Sequence, residues 1–106
     1  MTIFATHEKM SEADFQAAVI AYAESLGWLC YHTHDSRRSQ AGFPDLVMAK
    51  GKYLIFAELK SEKGKESEAQ IEWLDALEQV KVKSVELWRP VASDGEIKRL
   101  LERKVK

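Results

Sequence analysis

Two apolar runs, DLVMA and YLIFAEL, stand on either side of Lys50-Gly51-Lys52, and this spacing constrains the chain more than any other feature. With Gly51 and Lys52 as the central residues of a hairpin turn, glycine comes first, the preference of a type II′ turn. Lys50 then faces Tyr53, and the same register carried back along both strands sets Asp45 opposite Glu58. Opposed residues share a face, as do residues two apart on a strand, so Asp45, Glu58 and Lys60 should project together. Val47, Ala49, Leu54 and Phe56 complete that face, while Leu46, Met48, Ile55, Ala57 and Leu59 make up the other. Both faces are apolar, and both call for covering helices.

The flanking sequence supplies them. In SEADFQAAVIAYAESLG the residues Phe15, Ala18, Val19, Tyr22 and Leu26 recur at helical spacing, with Ser11 suited to the N-cap and Gly27 to the stop. Residues 28–34 are rich in aromatics and read as a strand running into the polar stretch THDSRRSQAGF. After the basic connector SEKGKE, residues 67–80 read as a helix with Ile71, Trp73, Leu74, Leu77 and Val80 turned inward and a Ser67/Gln70 capping box at its start. SVELWR is a fourth strand stopped by Pro90, and Asp94 opens a last short helix through Ile97, Leu100 and Leu101. The order α-β-β-β-α-β-α predicts an α/β (α+β) fold, a four-stranded mixed sheet with helices on both faces. The 67–80 connection is long enough for a parallel crossover.

At 106 residues with no repeat, low-complexity tract or Pro/Gly/Ser-rich linker, the chain reads as one domain over residues 11–106 behind an arm of residues 1–10. Its single cysteine, Cys30, cannot form an internal disulfide, which suits a reducing cytoplasm. No apolar stretch is long enough to span a bilayer, and MTIFATHEKM lacks the pattern of a secretion signal. The net charge of -1 conceals an asymmetry: residues 36–65 hold seven Lys/Arg against three Asp/Glu, and residues 66–88 hold two Lys against six Asp/Glu. A nearly neutral protein with one basic segment can still hold a polyanion there. Arg37 and Arg38 before the hairpin, and Lys63 and Lys65 after it, are the candidate phosphate contacts.

Two carboxylates opposed on an apolar face repel one another and lose hydration, an unfavourable arrangement unless a cation lies between them. Mg²⁺ or Mn²⁺ suits such hard oxygen ligands, and a lysine nearby can position an attacking water. An ordinary Glu58/Lys60 strand-end pair, with Asp45 capping a turn after Pro44, fits the spacing equally well. His32 and His34 share a strand face, but no third ligand stands near enough in sequence for zinc.

GFPDLV followed across the hairpin by AELK resembles the signature of the PD-(D/E)xK nuclease superfamily. Together with SEADFQ, Gly27-Trp28, HTHDSRRSQAGFPDLV, ELKSEKG, the Gln70 to Leu74 stretch and LWRP, it resembles the VRR-NUC (virus-type replication-repair nuclease) branch, in particular its short stand-alone bacteriophage and prophage members. The resemblance runs from Ser11 to about Leu101. It implies a restriction-endonuclease-like core and a divalent-metal-dependent DNA endonuclease. Asp45, Glu58 and the Leu59 carbonyl would be metal ligands, and Lys60 would orient the water. Glu12 matches an acidic residue of the family's first helix that reaches the metal, although a carboxylate favoured by the helix dipole explains it nearly as well. Gln70 matches a glutamine near the active site, and the capping box explains it equally well. His32 and Ser36 would lie beside the bound DNA. Stand-alone relatives resemble Holliday-junction resolving enzymes, which implies branched DNA and a homodimer, with no organic cofactor and no membrane. A nuclease subunit of a larger phage replication or restriction assembly, and a nucleic-acid-binding module without activity, are the alternatives.

Overall fold

The structure, a computed structural model, describes residues 10–33, 40–80 and 84–103. Over them run α1 (Glu12–Ser25), β1 (Leu29–His32), β2 (Leu46–Lys50), β3 (Tyr53–Leu59), α2 (Glu68–Glu78), β4 (Ser84–Trp88) and α3 (Asp94–Leu101), the order that the sequence predicts. The Ser11 hydroxyl caps α1 by accepting from the Asp14 N–H at 3.1 Å. The helix closes as a Schellman motif, with Gly27 N–H donating to Glu24 O at 3.1 Å and Trp28 N–H to Ala23 O at 3.1 Å.

The four strands form one sheet in the order β1-β2-β3-β4. β1, β2 and β3 are antiparallel neighbours, and β4 joins β3 in parallel through the α2 crossover. Lys50 pairs with Tyr53 and Leu46 with Ala57, the register expected from the turn. Gly51 has φ +58°, while no described residue other than glycine has positive φ, as a type II′ turn requires.

One sheet face carries the core. Leu46, Met48, Ile55, Ala57, Leu59 and Trp88 pack with Phe15, Val19 and Ala23 of α1 and with Ile97, Leu100 and Leu101 of α3, all at most 2% exposed. Trp28 Nε1 donates to the Leu101 carbonyl at 2.9 Å, tying the end of α3 to the start of β1, and the Tyr22 hydroxyl donates to Glu102.

The opposite face is covered less than its composition predicts. None of the residues of α2 is fully buried, and Ile71 and Val80, expected to face inward, are 44% and 49% exposed. The helix runs alongside β4, and at one end of the sheet Trp73 packs edge-to-face on Phe43 and Phe43 on Phe56, with ring centroids 5.0 and 6.1 Å apart. On the edge strand β1, Leu29 and Tyr31 remain 78% and 63% exposed. No helix among the described residues is long and apolar enough to cross a membrane.

Candidate active site

The chain converges on one spot from four directions: the first turn of α1, the loop entering β2, the end of β3 and the first turn of α2. A cavity of about 240 Å³ opens there, lined in part by Glu12, Gln40, Asp45, Glu58, Lys60 and Gln70. Glycine makes the convergence possible at Gly42, where φ is +91° and a Cβ would lie 2.4 Å from the Ala69 carbonyl group at the start of α2. The loop carrying Pro44 and Asp45 is thereby pressed against that helix.

The β2–β3 ladder ends at Leu46 and Ala57, and the next positions along it are Asp45 and Glu58. Asp45 Oδ2 accepts the Leu59 N–H at 3.0 Å, which fixes its carboxylate against the β3 backbone. Glu58 is 1% exposed, and its Oε2 accepts from Gln70 Nε2 at 2.7 Å. Gln70 also completes the capping box: its Oε1 accepts the Ser67 N–H at 2.8 Å, while its own N–H donates to Ser67 Oγ at 3.2 Å. The two explanations of Gln70 in the sequence are therefore both realised. The cap holds the amide oxygen, and the amide nitrogen is left to point at Glu58. Lys60 Nζ stands 3.7 Å from Glu12 Oε1 and 3.8 Å from Glu58 Oε2.

Glu12, Asp45 and Glu58 each bring a carboxylate oxygen within 4.8 Å of the other two, a set of oxygen donors that fits a hard divalent cation. The buried Oε1 of Glu58 has no hydrogen-bond partner, an uncompensated acceptor such a cation would satisfy. Burial first and the adjacent Asp45 carboxylate second push the Glu58 carboxyl from 4.5 up to about 8, with Glu12 acting in the same direction and Lys60 against it.

A raised folded-state pKa means that the stability supplied by protonated Glu58 is present below about 4.5 and lost as pH climbs through about 8. In the absence of divalent metal, Glu58→Gln should therefore melt close to wild type near pH 4, below the unfolded pKa, where Glu58 is neutral in the folded protein and largely so in the unfolded chain. It should melt a few degrees higher by pH 9. Parallel Tm profiles of the two proteins would show that Glu58 ionises normally.

The match to a family model decides the kinship: the VRR-NUC domain covers residues 4–88. The chain belongs to the VRR-NUC family. No curated protein and no solved structure matches it. Membership implies a nuclease of the PD-(D/E)xK kind acting on DNA, and nucleases of this type use divalent metals. The match begins inside the stretch expected as an N-terminal arm and ends at Trp88, short of α3.

The other residues expected to contact DNA in this VRR-NUC domain are described only in part. Ser36, Arg37, Arg38 and His34 fall outside the described residues. His32 pairs with Leu46 and so shares the core-facing side of the sheet, opposite to Asp45. The cavity is lined by the next residue, Thr33. Lys63 and Lys65 are exposed on the loop that follows β3, outside the cavity lining.

That loop is held by residues the sequence reading did not single out. Arg89 Nη1 donates to the carbonyls of Ser61 at 2.8 Å, Glu62 at 3.3 Å and Gly64 at 2.8 Å, and Nη2 reaches Glu66 Oε1 at 3.3 Å. Glu62 in return accepts from the N–H groups of Val91 and Ala92 at 2.8 and 3.3 Å. Only the LWRP motif hinted at Arg89. Arg89→Ala should cost about 2 kcal/mol in urea unfolding, because a charged donor is removed from several carbonyls at once. Arg89→Lys should restore only part of the loss, since an ammonium lacks the planar fork. A stability change within error for Arg89→Ala would mean that water replaces the guanidinium at no cost.

Proposed function

We propose that the chain is a divalent-metal-dependent DNA endonuclease, selective for branched DNA such as Holliday junctions. The observation that carries the reading is the approach of the Glu12, Asp45 and Glu58 carboxylates to within 4.8 Å beside Lys60. Asp45, Glu58 and Glu12, with the Leu59 carbonyl, would hold Mg²⁺ or Mn²⁺. When bound, such an ion polarises the scissile phosphate and lowers the pKa of the attacking water.

The chain's own groups do the rest. The Leu59 N–H holds Asp45 in place, and Gln70 holds one oxygen of Glu58 while the other stays available. The Lys60 ammonium orients the attacking water and offsets the charge that builds on the phosphate. Arg37, Arg38, Lys63 and Lys65, with Ser36, bind the phosphate backbone on either side. Cleavage of linear, flapped and four-way DNA compared in Mg²⁺, in Mn²⁺ and in EDTA tests the reading. Preferential, EDTA-sensitive cutting of the four-way DNA is expected, and cutting of linear duplex at the same rate would remove the branch selectivity.

The active form is a homodimer presenting two sites to two strands, in a phage-type protein working in the host cytoplasm. The open sheet face around Leu29 and Tyr31, on an edge strand, supports this association. Light scattering at micromolar concentration should give about twice the 12.1 kDa chain mass. Tyr31→Lys should lower it. A mass near 12.1 kDa at all concentrations would rule out symmetric two-strand cleavage.

A further inference from the structure

Beside the carboxylate cavity lies a second, shallower one of about 310 Å³, whose described lining residues are Gln40, Glu72, Trp73 and Ala76. Gln40 lines both, so the two are neighbours. Trp28 and Trp88 are buried at 2% and 1% exposure, whereas Trp73 is half-buried and borders this groove. Phe43 and Phe56 anchor its ring in an edge-to-face ladder down to the sheet. An aromatic surface that is both rigid and open offers a stacking platform at little entropic cost.

The polar groups at the groove narrow its ligand. The Glu72 carboxylate in its lining would repel a phosphate. A carboxylate and a carboxamide instead match the edge of a nucleobase, whose amino or imino N–H groups donate to Glu72 and whose edges exchange hydrogen bonds with Gln40. We infer that this groove receives an unpaired nucleobase next to the phosphate held in the carboxylate cavity, stacked on Trp73. The inference rests on the nuclease reading above and adds to it a contact for a nucleotide beside the cleaved bond that is unpaired or that leaves its pair at a branch point. A fully paired base could reach the groove only by leaving its stack.

The test measures binding apart from cleavage, by fluorescence anisotropy in the Asp45→Asn background. Three DNAs are compared: a duplex, the same duplex with a short single-stranded gap, and the gapped DNA with abasic sites in place of its unpaired bases. The gapped DNA should bind about tenfold tighter than the duplex, and the abasic DNA, which keeps every phosphate, should lose that preference. Trp73→Ala should lose it too, and Trp73→Phe should keep most of it. Ala76→Gln fills the groove from an exposed position on α2 and should act as Trp73→Ala does, without disturbing the Phe43 contact. Equal binding of gapped and duplex DNA, indifference to abasic substitution, or a full preference in both Trp73→Ala and Ala76→Gln would each overturn the base pocket. Failure of the nuclease reading has a different signature: wild type with Mg²⁺ or Mn²⁺ would leave every DNA uncut, whatever the binding preferences.

Discussion

Asp45→Asn is expected to lower metal-dependent cleavage by more than about 100-fold while leaving the fold intact, because a ligand charge is lost without a change of size. The fold should survive since the asparagine carbonyl can still accept the Leu59 N–H that Asp45 Oδ2 accepts at 3.0 Å. The substitution also removes the carboxylate that helps to raise Glu58, so the remaining pair is easier to ionise and still unable to complete the donor set. Single-turnover cleavage at saturating metal, with circular dichroism as the check on folding, measures this. Turnover equal to wild type would remove Asp45 from the reaction.

Lys60→Ala should reduce the cleavage step by about 10²- to 10³-fold, with DNA binding changed by no more than about threefold. The ammonium lies among the carboxylates, 3.7 Å from Glu12 and 3.8 Å from Glu58, rather than on the exposed loop that carries Lys63 and Lys65. Its contribution therefore belongs to the reacting phosphate and water. A variant that binds much more weakly yet cuts at the wild-type rate once saturated would make Lys60 a plain backbone contact.

What could be read ahead of the structure was whatever depends on local chemistry. Gly51 set the hairpin register, and that register brought Asp45 and Glu58 to adjoining positions, since a one-residue slip would have turned the apolar set Leu46, Met48, Ile55, Ala57 and Leu59 outward. The cap residues Ser11 and Ser67 located two helix starts for the same reason. The failures concern tertiary placement. Ile71 and Val80 are apolar and close to the α2 stripe, yet the helix docks through Trp73 on Phe43, Gln70 on Glu58 and its passage alongside β4, and both residues remain exposed. Periodicity reports which residues could face inward and says little about how much sheet a helix covers. His32 follows the same logic: a strand position assigns a face only once the partner register is known, and pairing with Leu46 turns it toward the core. Arg89 and Glu62 brace the loop after β3 across long sequence separations that no local pattern reveals. Gln70 belongs between these cases. Its cap was readable from Ser67, whereas its bond to Glu58 depends on where α2 docks.

The central claim, that Glu12, Asp45 and Glu58 form a site for a divalent cation, is tested most directly by calorimetric titration of Mn²⁺ into wild type and Asp45→Asn near pH 7, repeated in buffers of different ionisation enthalpy. With the Glu58 carboxyl raised to about 8, the metal-free site holds a proton at that pH which the incoming cation must displace. The account predicts saturable Mn²⁺ binding to wild type accompanied by proton release, both lost in Asp45→Asn. Equal binding by the two proteins, or none by wild type, would contradict it.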